Sequence, residues 1–287
     1  MNKQTKVWLV LSIALSLLAL SSACKSDSGT NATNAGGSET AAGPYSGPTG
    51  TVVGVISYTG TPPAPKKIDT SADPVCGQKV PNLTTDDTVV KDGKLANVFI
   101  YVKEGTVEGG KKIGDYSWAT PTTAVQLDQN GCHYKPHVLG IQVNQKLSVT
   151  NSDATQHTIH PTPKLNAEWN QTQPNGAAPI EKSFNRPEIL IPVKCNQHPW
   201  MKAYIGVMKN PFYAVSAENG TFEIKGLPPG TYTVVAWREG GVNGTEKTMQ
   251  VTVPANGSAK ADFAFGEGAA TTSLNPSLKM MPAITLH

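Results

Sequence analysis

The sequence has only a small excess of basic residues, which limits its possible partners. It carries 24 Lys and Arg against 21 Asp and Glu, and two of the lysines, Lys3 and Lys6, precede an apolar N-terminal stretch. If that stretch is a leader that is removed, 22 basic residues remain against 21 acidic ones, a net charge of +1. Because a nucleic-acid-binding protein needs a basic patch, we expect no nucleic-acid partner.

The sequence also lacks the short motifs that mark several common enzyme and cofactor classes. It has no G-x-S-x-G elbow, no P-loop, no dinucleotide-binding fingerprint and no H-E-x-x-H pair. It has no C-x-x-C-H motif, so covalently attached haem is not expected. We therefore expect that the protein turns over no substrate.

The N-terminus has the features of an export signal. Lys3 and Lys6 are followed by an apolar stretch from Val7 to Leu20, too short for a membrane span of roughly 20 residues. Small residues then precede Cys24, an arrangement that resembles the lipobox of bacterial lipoproteins and implies lipidation of Cys24. The alternative is an ordinary secreted protein cleaved near Ala23. We expect a lipoprotein anchored to a membrane, in the bacterial periplasm or at the cell surface.

The rest of the chain predicts an all-β protein. Short β-branched runs such as Thr51–Tyr58, Leu147–Asn151 and Ile189–Lys194 alternate with turn residues, and no segment shows a sustained helical period. Frequent short strands are typical of sandwiches or barrels. Residues 25–50 are mostly Ser, Gly, Ala, Thr and Asn and predict a flexible tether.

The four cysteines divide by their surroundings. Cys24 belongs to the processing site, and Cys195 lies among other metal-ligand types. Cys76 and Cys132 remain, and an oxidising compartment favours a disulfide between them. The alternative is that one of the two is free or a metal ligand.

The run Cys195-Asn-Gln-His198-Pro-Trp-Met201 places a thiolate, an imidazole and a thioether in one short loop. A second histidine would complete the Cys-His₂ set with a weak axial Met that defines a blue-copper site. His157, which follows the strand ending at Asn151, can supply it, and His160 is the competing candidate. The sequence thus predicts a copper site made of His157, Cys195, His198 and Met201.

These residues resemble the cupredoxins, the plastocyanin and azurin family. The C-x₂-H-x₂-M loop and the N-x₅-H approach from Asn151 to His157 carry the resemblance, which covers roughly residues 50–209. It implies a Greek-key β-sandwich with those four ligands, and a hydrogen bond from the Thr158 N–H to the Cys195 sulfur. It also implies electron exchange with a redox protein partner through a solvent-facing edge near His198.

A second resemblance lies downstream. The run from Asn219 to Glu239, with its G-x-F-x-I-x-G-L-P-P-G-x-Y-x-V pattern, resembles the carboxypeptidase regulatory-like, or transthyretin-like, sandwich, whose Tyr packs into the core.

We expect the chain to divide into five parts. These are a signal peptide (1–23), lipidated Cys24 with a linker (24–50), a cupredoxin-like domain (51–209), a smaller β-sandwich module (210–267) and a disordered tail (268–287).

Two classes of function are compatible with these features. The first is an exported copper protein that carries single electrons, with copper storage or delivery as a variant. The second is a metal-free structural or carbohydrate-associated surface protein. Binding of copper at Cys195 discriminates between them.

Overall fold

The computed structural model describes residues 42–240 and 244–266, which belong to one compact unit. The expected signal peptide, the lipidated Cys24, most of the linker and the C-terminal tail lie outside these residues. Within the described part of the chain, no helix has the length and apolar character needed to cross a membrane.

Almost every regular element is a β-strand, which confirms the all-β prediction. The first ten strands are β1 (Ala42–Pro44), β2 (Gly50–Thr59), β3 (Val90–Lys91), β4 (Lys94–Leu95), β5 (Phe99–Val107), β6 (Tyr116–Ser117), β7 (Val125–Gln129), β8 (Tyr134–Lys135), β9 (Val138–Gln142) and β10 (Leu147–Asn151). The next five are β11 (His157–Pro161), β12 (Gln171–Gln173), β13 (Ile180–Lys182), β14 (Glu188–Lys194) and β15 (Lys202–Met208). The last six are β16 (Tyr213–Val215), β17 (Thr221–Leu227), β18 (Gly230–Arg238), β19 (Thr245–Val253), β20 (Ser258–Lys260) and β21 (Phe263–Gly266).

One short helix was not expected from the sequence. Helix α1 (Pro74–Lys79) begins after Asp73, whose carboxylate accepts hydrogen bonds from the Val75 and Cys76 N–H groups. An aspartate before a proline is a common helix start, since the aspartate caps the first turn and proline has no N–H to satisfy there. A short 3₁₀ turn covers Ile113–Asp115.

The strands from β7 to β15 form what we call the central sandwich. One sheet has the order β13-β10-β7-β8 and the other β12-β11-β14-β15-β9. Two of the pairs, β7 with β10 and β9 with β15, are parallel. The side chains between the sheets, among them Leu127, Val149 and Ile205, are fully buried in one apolar cluster that also contains Cys195 and Met201.

A second sandwich, which we call the flanking sandwich, consists of strands that precede β7 and strands that follow β15 in the sequence. Strand β5 pairs with β16 and β18, and β2 pairs with β17, β20 and β21. Tyr232 is fully buried in its core, and the Tyr232 hydroxyl donates to the Pro228 carbonyl at 2.7 Å. The strand pairing therefore differs from the linear division expected at residues 209 and 210, because β2 to β5 complete the sheets formed by residues 213–266.

The two sandwiches meet where glycines leave room for aromatic rings. Gly140 of β9 and Gly206 of β15 are neighbours in register. The ring of Phe99, from β5, lies against both glycines, and it stacks on Tyr213 with ring centroids 5.8 Å apart. This close approach fixes β15, and with it the loop before β15, relative to the flanking sandwich.

Candidate metal centre

Three of the four predicted ligands meet at one end of the central sandwich. The Cys195 sulfur and one ring nitrogen each of His157 and His198 all lie within 4.8 Å of one another. The two Nδ1 atoms are 2.9 Å apart, and the Cys195 sulfur is 3.6 Å from the His198 Nδ1. All three side chains are buried, with at most 3% of each residue exposed.

Neighbouring strands deliver these residues to the same place. His157 is the first residue of β11, Cys195 directly follows β14, and β11 pairs antiparallel with β14. Asn151 shapes the turn before His157: its amide donates to the carbonyls of Thr155 and Gln173, each at 2.9 Å. The N-x₅-H pattern is thus explained by a side chain that closes the turn leading to the histidine.

The loop between β14 and β15 is closed by its own backbone. The Met201 N–H donates to the His198 carbonyl at 2.9 Å, and the Cys195 N–H donates to the Met201 carbonyl at 3.2 Å. Met201 is fully buried in the apolar cluster that contains Cys195. Met201 therefore lies beside Cys195 and His198 and is fully buried.

The Cys195 sulfur has polar neighbours besides the histidines. The Thr158 N–H donates to it at 3.3 Å, as the resemblance implied, and the Thr158 hydroxyl oxygen lies 3.4 Å away. Burial raises the pKa of the thiol, but hydrogen bonds from His157, His198 and Thr158 outweigh burial and lower that pKa to about 5. The surroundings therefore favour a thiolate, the form in which cysteine binds metals.

Two carboxylates that sequence reasoning missed hold the far side of the imidazoles. The His157 Nε2 is 3.0 Å from an Asp153 oxygen, and the His198 Nε2 is 2.9 Å from an Asp73 oxygen. Burial lowers the pKa of His157, whereas hydrogen bonds with Asp153 and Cys195 raise it to about 9. Asp153 is four residues before His157 and could have been suspected, but nothing in the sequence ties Asp73 to His198.

His160 is not part of the cluster. Its ring nitrogens lie 2.9 Å from the Asn196 side-chain oxygen and 2.6 Å from a Glu168 oxygen. His160 pairs with Lys194 in the sheet, on the outward side of β11, whereas His157 is fully buried. The geometry thus brings His157 rather than His160 to Cys195.

The His198 side chain is covered by other parts of the chain. His198 is only 3% exposed, because Asp73 lies against its Nε2 and the Trp200 ring lies 5.0 Å from its ring. Exposed positions in the loop are Asn196, Gln197 and Pro199, while Trp200 is half-buried. The exposed surface near His198 is therefore formed by its neighbours in the loop and not by the imidazole itself.

The remaining cysteines lie close to the cluster. Cys76 and Cys132, the pair expected to be bridged, form a disulfide with Cα atoms 5.9 Å apart, and Cys195 is the free cysteine of the described residues. The Trp200 indole N–H donates to the Cys132 carbonyl at 3.1 Å. The disulfide therefore packs against the same loop that carries His198 and Met201.

This donor set fits a copper ion. One thiolate and two imidazoles are the equatorial ligands of blue-copper sites, and a thioether is their weak axial ligand. The Cys195 sulfur and one nitrogen of each histidine already lie close together among buried side chains, and the aspartates at the Nε2 atoms orient the two rings. His157, Cys195 and His198 would hold the ion, with Met201 beside them.

Residues 188–261 match the family described as polysaccharide lyase family 4, domain II. In this chain those residues run from β14, which leads to Cys195, to the residue after β20 in the flanking sandwich. No curated protein matches the chain.

Solved structures that are similar to part of this chain include copper proteins. A copper-containing nitrite reductase from Thermus scotoductus SA-01 is 22% identical at a TM-score of 0.26, covering 31% of this chain and 23% of the reductase. A purple cupredoxin from Nitrosopumilus maritimus is 21% identical at a TM-score of 0.25, covering 29% of this chain and 98% of that one. A reduced amicyanin variant is 16% identical at a TM-score of 0.27, covering 39% and 98%. This chain thus spans about a quarter of the length of the reductase.

Proposed function

We propose that this protein is an exported mononuclear copper protein that carries single electrons and turns over no substrate. The observation that supports the proposal best is the buried grouping of Cys195, His157 and His198, with the Thr158 N–H directed at the sulfur. Bound copper would accept and release one electron by cycling between its two common oxidation states.

The residues around the ligands have separate roles in this proposal. Burial of His157 and His198 excludes water, and the short hydrogen-bonded loop from Cys195 to Met201 holds the donors in one arrangement. A fixed donor set suits electron transfer because little needs to move when the charge changes. The Thr158 contacts withdraw charge from the sulfur and so tune the potential.

The partner and location follow as further proposals. Since His198 is covered, we infer that a redox protein approaches over Gln197, Pro199 and the half-buried Trp200, whose ring is in contact with the His198 ring. We propose a bacterial lipoprotein anchored by Cys24, in the periplasm or at the cell surface.

The experiment is copper reconstitution of the full chain. Addition of Cu(II) should give an intense thiolate-to-copper absorption band and a matching electron paramagnetic resonance spectrum, both lost in Cys195→Ser. His157→Gln should also abolish the band. His160→Gln is the matched control on the same strand and should keep it.

Two results would contradict the proposal. A wild-type protein that stays colourless and binds no copper after reconstitution has no such site. A band that survives in Cys195→Ser would mean that copper binds elsewhere on the chain.

A carbohydrate-associated role is a second candidate. The observation that favours it is the match of residues 188–261 to the polysaccharide lyase domain. A groove of about 1530 Å³ between the sandwiches is lined by Tyr204 and Trp237, aromatic residues of the kind that stack on sugars. Gels containing an acidic or a neutral polysaccharide should then slow the wild type more than Tyr204→Ala. Equal mobility of both proteins in every gel would eliminate this candidate.

A further inference from the structure

The outer nitrogen of each cluster histidine is held by an aspartate. Asp73 accepts from the His198 Nε2 at 2.9 Å, and Asp153 accepts from the His157 Nε2 at 3.0 Å. An ionised carboxylate can only accept, so each ring must carry its proton on Nε2 in these contacts. When a ring is neutral, its Nδ1 is then an acceptor, and the two Nδ1 atoms lie 2.9 Å apart on the side of the Cys195 sulfur.

Each aspartate is itself held by several donors. Asp73 accepts from the Val75 N–H at 2.8 Å, the Cys76 N–H at 3.1 Å and the Thr155 hydroxyl at 2.7 Å. With the bond from the His198 Nε2, four donors surround this carboxylate. Such a set of donors suits an ionised carboxylate and fixes its orientation.

Asp153 is likewise held by several donors. Asp153 accepts from the N–H groups of Gly131 and Cys132, each at 2.8 Å, and forms an ion pair with the Lys79 ammonium at 2.7 Å. Its side chain is fully buried. If the carboxylate turned away from His157, it would lose several of these contacts.

The Cys76–Cys132 disulfide joins the two supports. Cys76 lies in the helix that Asp73 caps, and Cys132 donates its N–H to Asp153. The Cys76 sulfur lies within 4.8 Å of Asp73 and His198 ligand atoms, and the Cys132 sulfur lies within the same distance of Asp153 and His157. The disulfide therefore links the helix capped by Asp73 to the segment that binds Asp153, and these two aspartates contact the two imidazoles.

We propose that Asp73, Asp153 and the Cys76–Cys132 disulfide form a brace that sets the orientation and basicity of the two copper-binding imidazoles. This inference rests on the proposed copper function. Asp73 and Asp153 are positioning residues, since they act through the histidines. Two negative charges behind the rings stabilise the oxidised ion more than the reduced one, and the disulfide keeps both in place.

Neutral variants of the two aspartates test the brace. Asp73→Asn and Asp153→Asn should each weaken copper binding by about 10- to 100-fold, the usual effect of losing such a partner. Each should also raise the reduction potential, because a negative charge behind a ligand has been removed. Glu188→Gln is the matched control: Glu188 is a buried carboxylate in β14 that binds the N–H groups of residues 164–166 and does not contact the cluster. It should leave both quantities unchanged.

The disulfide is tested separately. The double variant Cys76→Ala/Cys132→Ala keeps every ligand and both aspartates, and copper should dissociate from it about 10-fold faster than from wild type. If Asp73→Asn does not fold, Thr155→Val replaces it, since it removes one hydrogen bond to Asp73 without changing a charge.

The outcomes separate this inference from the proposed function. Wild-type protein without a charge-transfer band overturns the copper function. The brace alone is overturned if wild type binds copper but the variants behave like it. In that case both aspartate variants keep the wild-type copper affinity and reduction potential, and the double cysteine variant keeps the wild-type dissociation rate.

A measurement on the metal-free protein provides an independent check. Long-range ¹H–¹⁵N spectra should show His157 and His198 protonated on Nε2, with slowly exchanging protons, and Asp73→Ala should speed exchange at His198 only. Protons found on Nδ1 of both rings with Nε2 bare would overturn the brace.

Discussion

At the residue scale, each of the three predicted ligands that meet at the candidate site is contacted by a residue that is not itself a ligand. Cys195 and His198 lie three residues apart, so their proximity is a local property that the sequence predicts. The Thr158 hydroxyl, in contrast, lies 37 positions from Cys195 in the chain, and it both contacts the sulfur and accepts from the Asn196 N–H at 2.7 Å. Because the Asn196 N–H occupies the acceptor side of this hydroxyl, its proton is free to donate to the sulfur.

Replacement of Thr158 by valine should lower the reduction potential of the copper protein. The variant keeps the shape of the side chain and the backbone N–H, but it removes one donor from the sulfur. A thiolate with fewer hydrogen bonds gives more charge to the oxidised ion and stabilises it. Protein-film voltammetry measures the change.

Thr162→Val is the control, since the Thr162 hydroxyl bonds to the Pro192 carbonyl, away from the sulfur. A potential in Thr158→Val equal to that of the control would contradict the assigned role of the hydroxyl.

At the element scale, short strands and loops are positioned by packing that local patterns do not encode. The predicted strand Leu147–Asn151 is strand β10, because alternation of apolar residues is a local signal. Gly140 and Gly206 carry no such signal, yet they lie side by side in β9 and β15 and accept the Phe99 ring between the sandwiches. A β-carbon on Gly206 would lie 2.4 Å from the Phe99 ring, which is fully buried.

Gly206→Ala should therefore destabilise the protein by about 1–3 kcal/mol, the usual effect of overpacking a core. Denaturant unfolding of the metal-free protein measures the loss. Gly114→Ala is the control, because a β-carbon there has no atom within 4 Å. Equal stabilities of the two variants would show that the junction can widen at no cost.

At the scale of the whole molecule, charged groups connect three separate parts of the chain. His137, directly before β9 in the central sandwich, lies 2.6 Å from Glu239, which follows β18 of the flanking sandwich. It also lies 3.3 Å from Asp86, in the segment between β2 and β3. Burial lowers the pKa of His137, but the two carboxylates raise it to about 9 overall. His133 also faces Asp86, and Lys202 and Tyr204 face Glu239, so the carboxylates are shared.

This network predicts a pH dependence of stability. A histidine whose pKa rises on folding stabilises the native state fully below its unfolded pKa of about 6.5, and that contribution is lost as the pH rises through about 9. The stability advantage of wild type over His137→Gln should therefore shrink between pH 6.5 and 9.5. Unfolding of the metal-free proteins in denaturant at several pH values measures it.

His160→Gln serves as the control, because His160 is partly exposed and its partner Glu168 lies at the surface. A difference between wild type and His137→Gln that stays constant over this pH range would show that the charge of His137 does not contribute to stability.

The sequence by itself determined the all-β class, the soft donors at loop spacing and the cysteines available for a bridge, because each depends on residue type or short-range spacing. Only the tertiary structure decided that β2 and β5 belong with residues 213–266. It also placed His157 rather than His160 beside Cys195, and it set Asp73 against His198. These contacts join positions up to about 200 residues apart, and such pairing depends on how the sheets assemble, for which a single sequence carries no local signal.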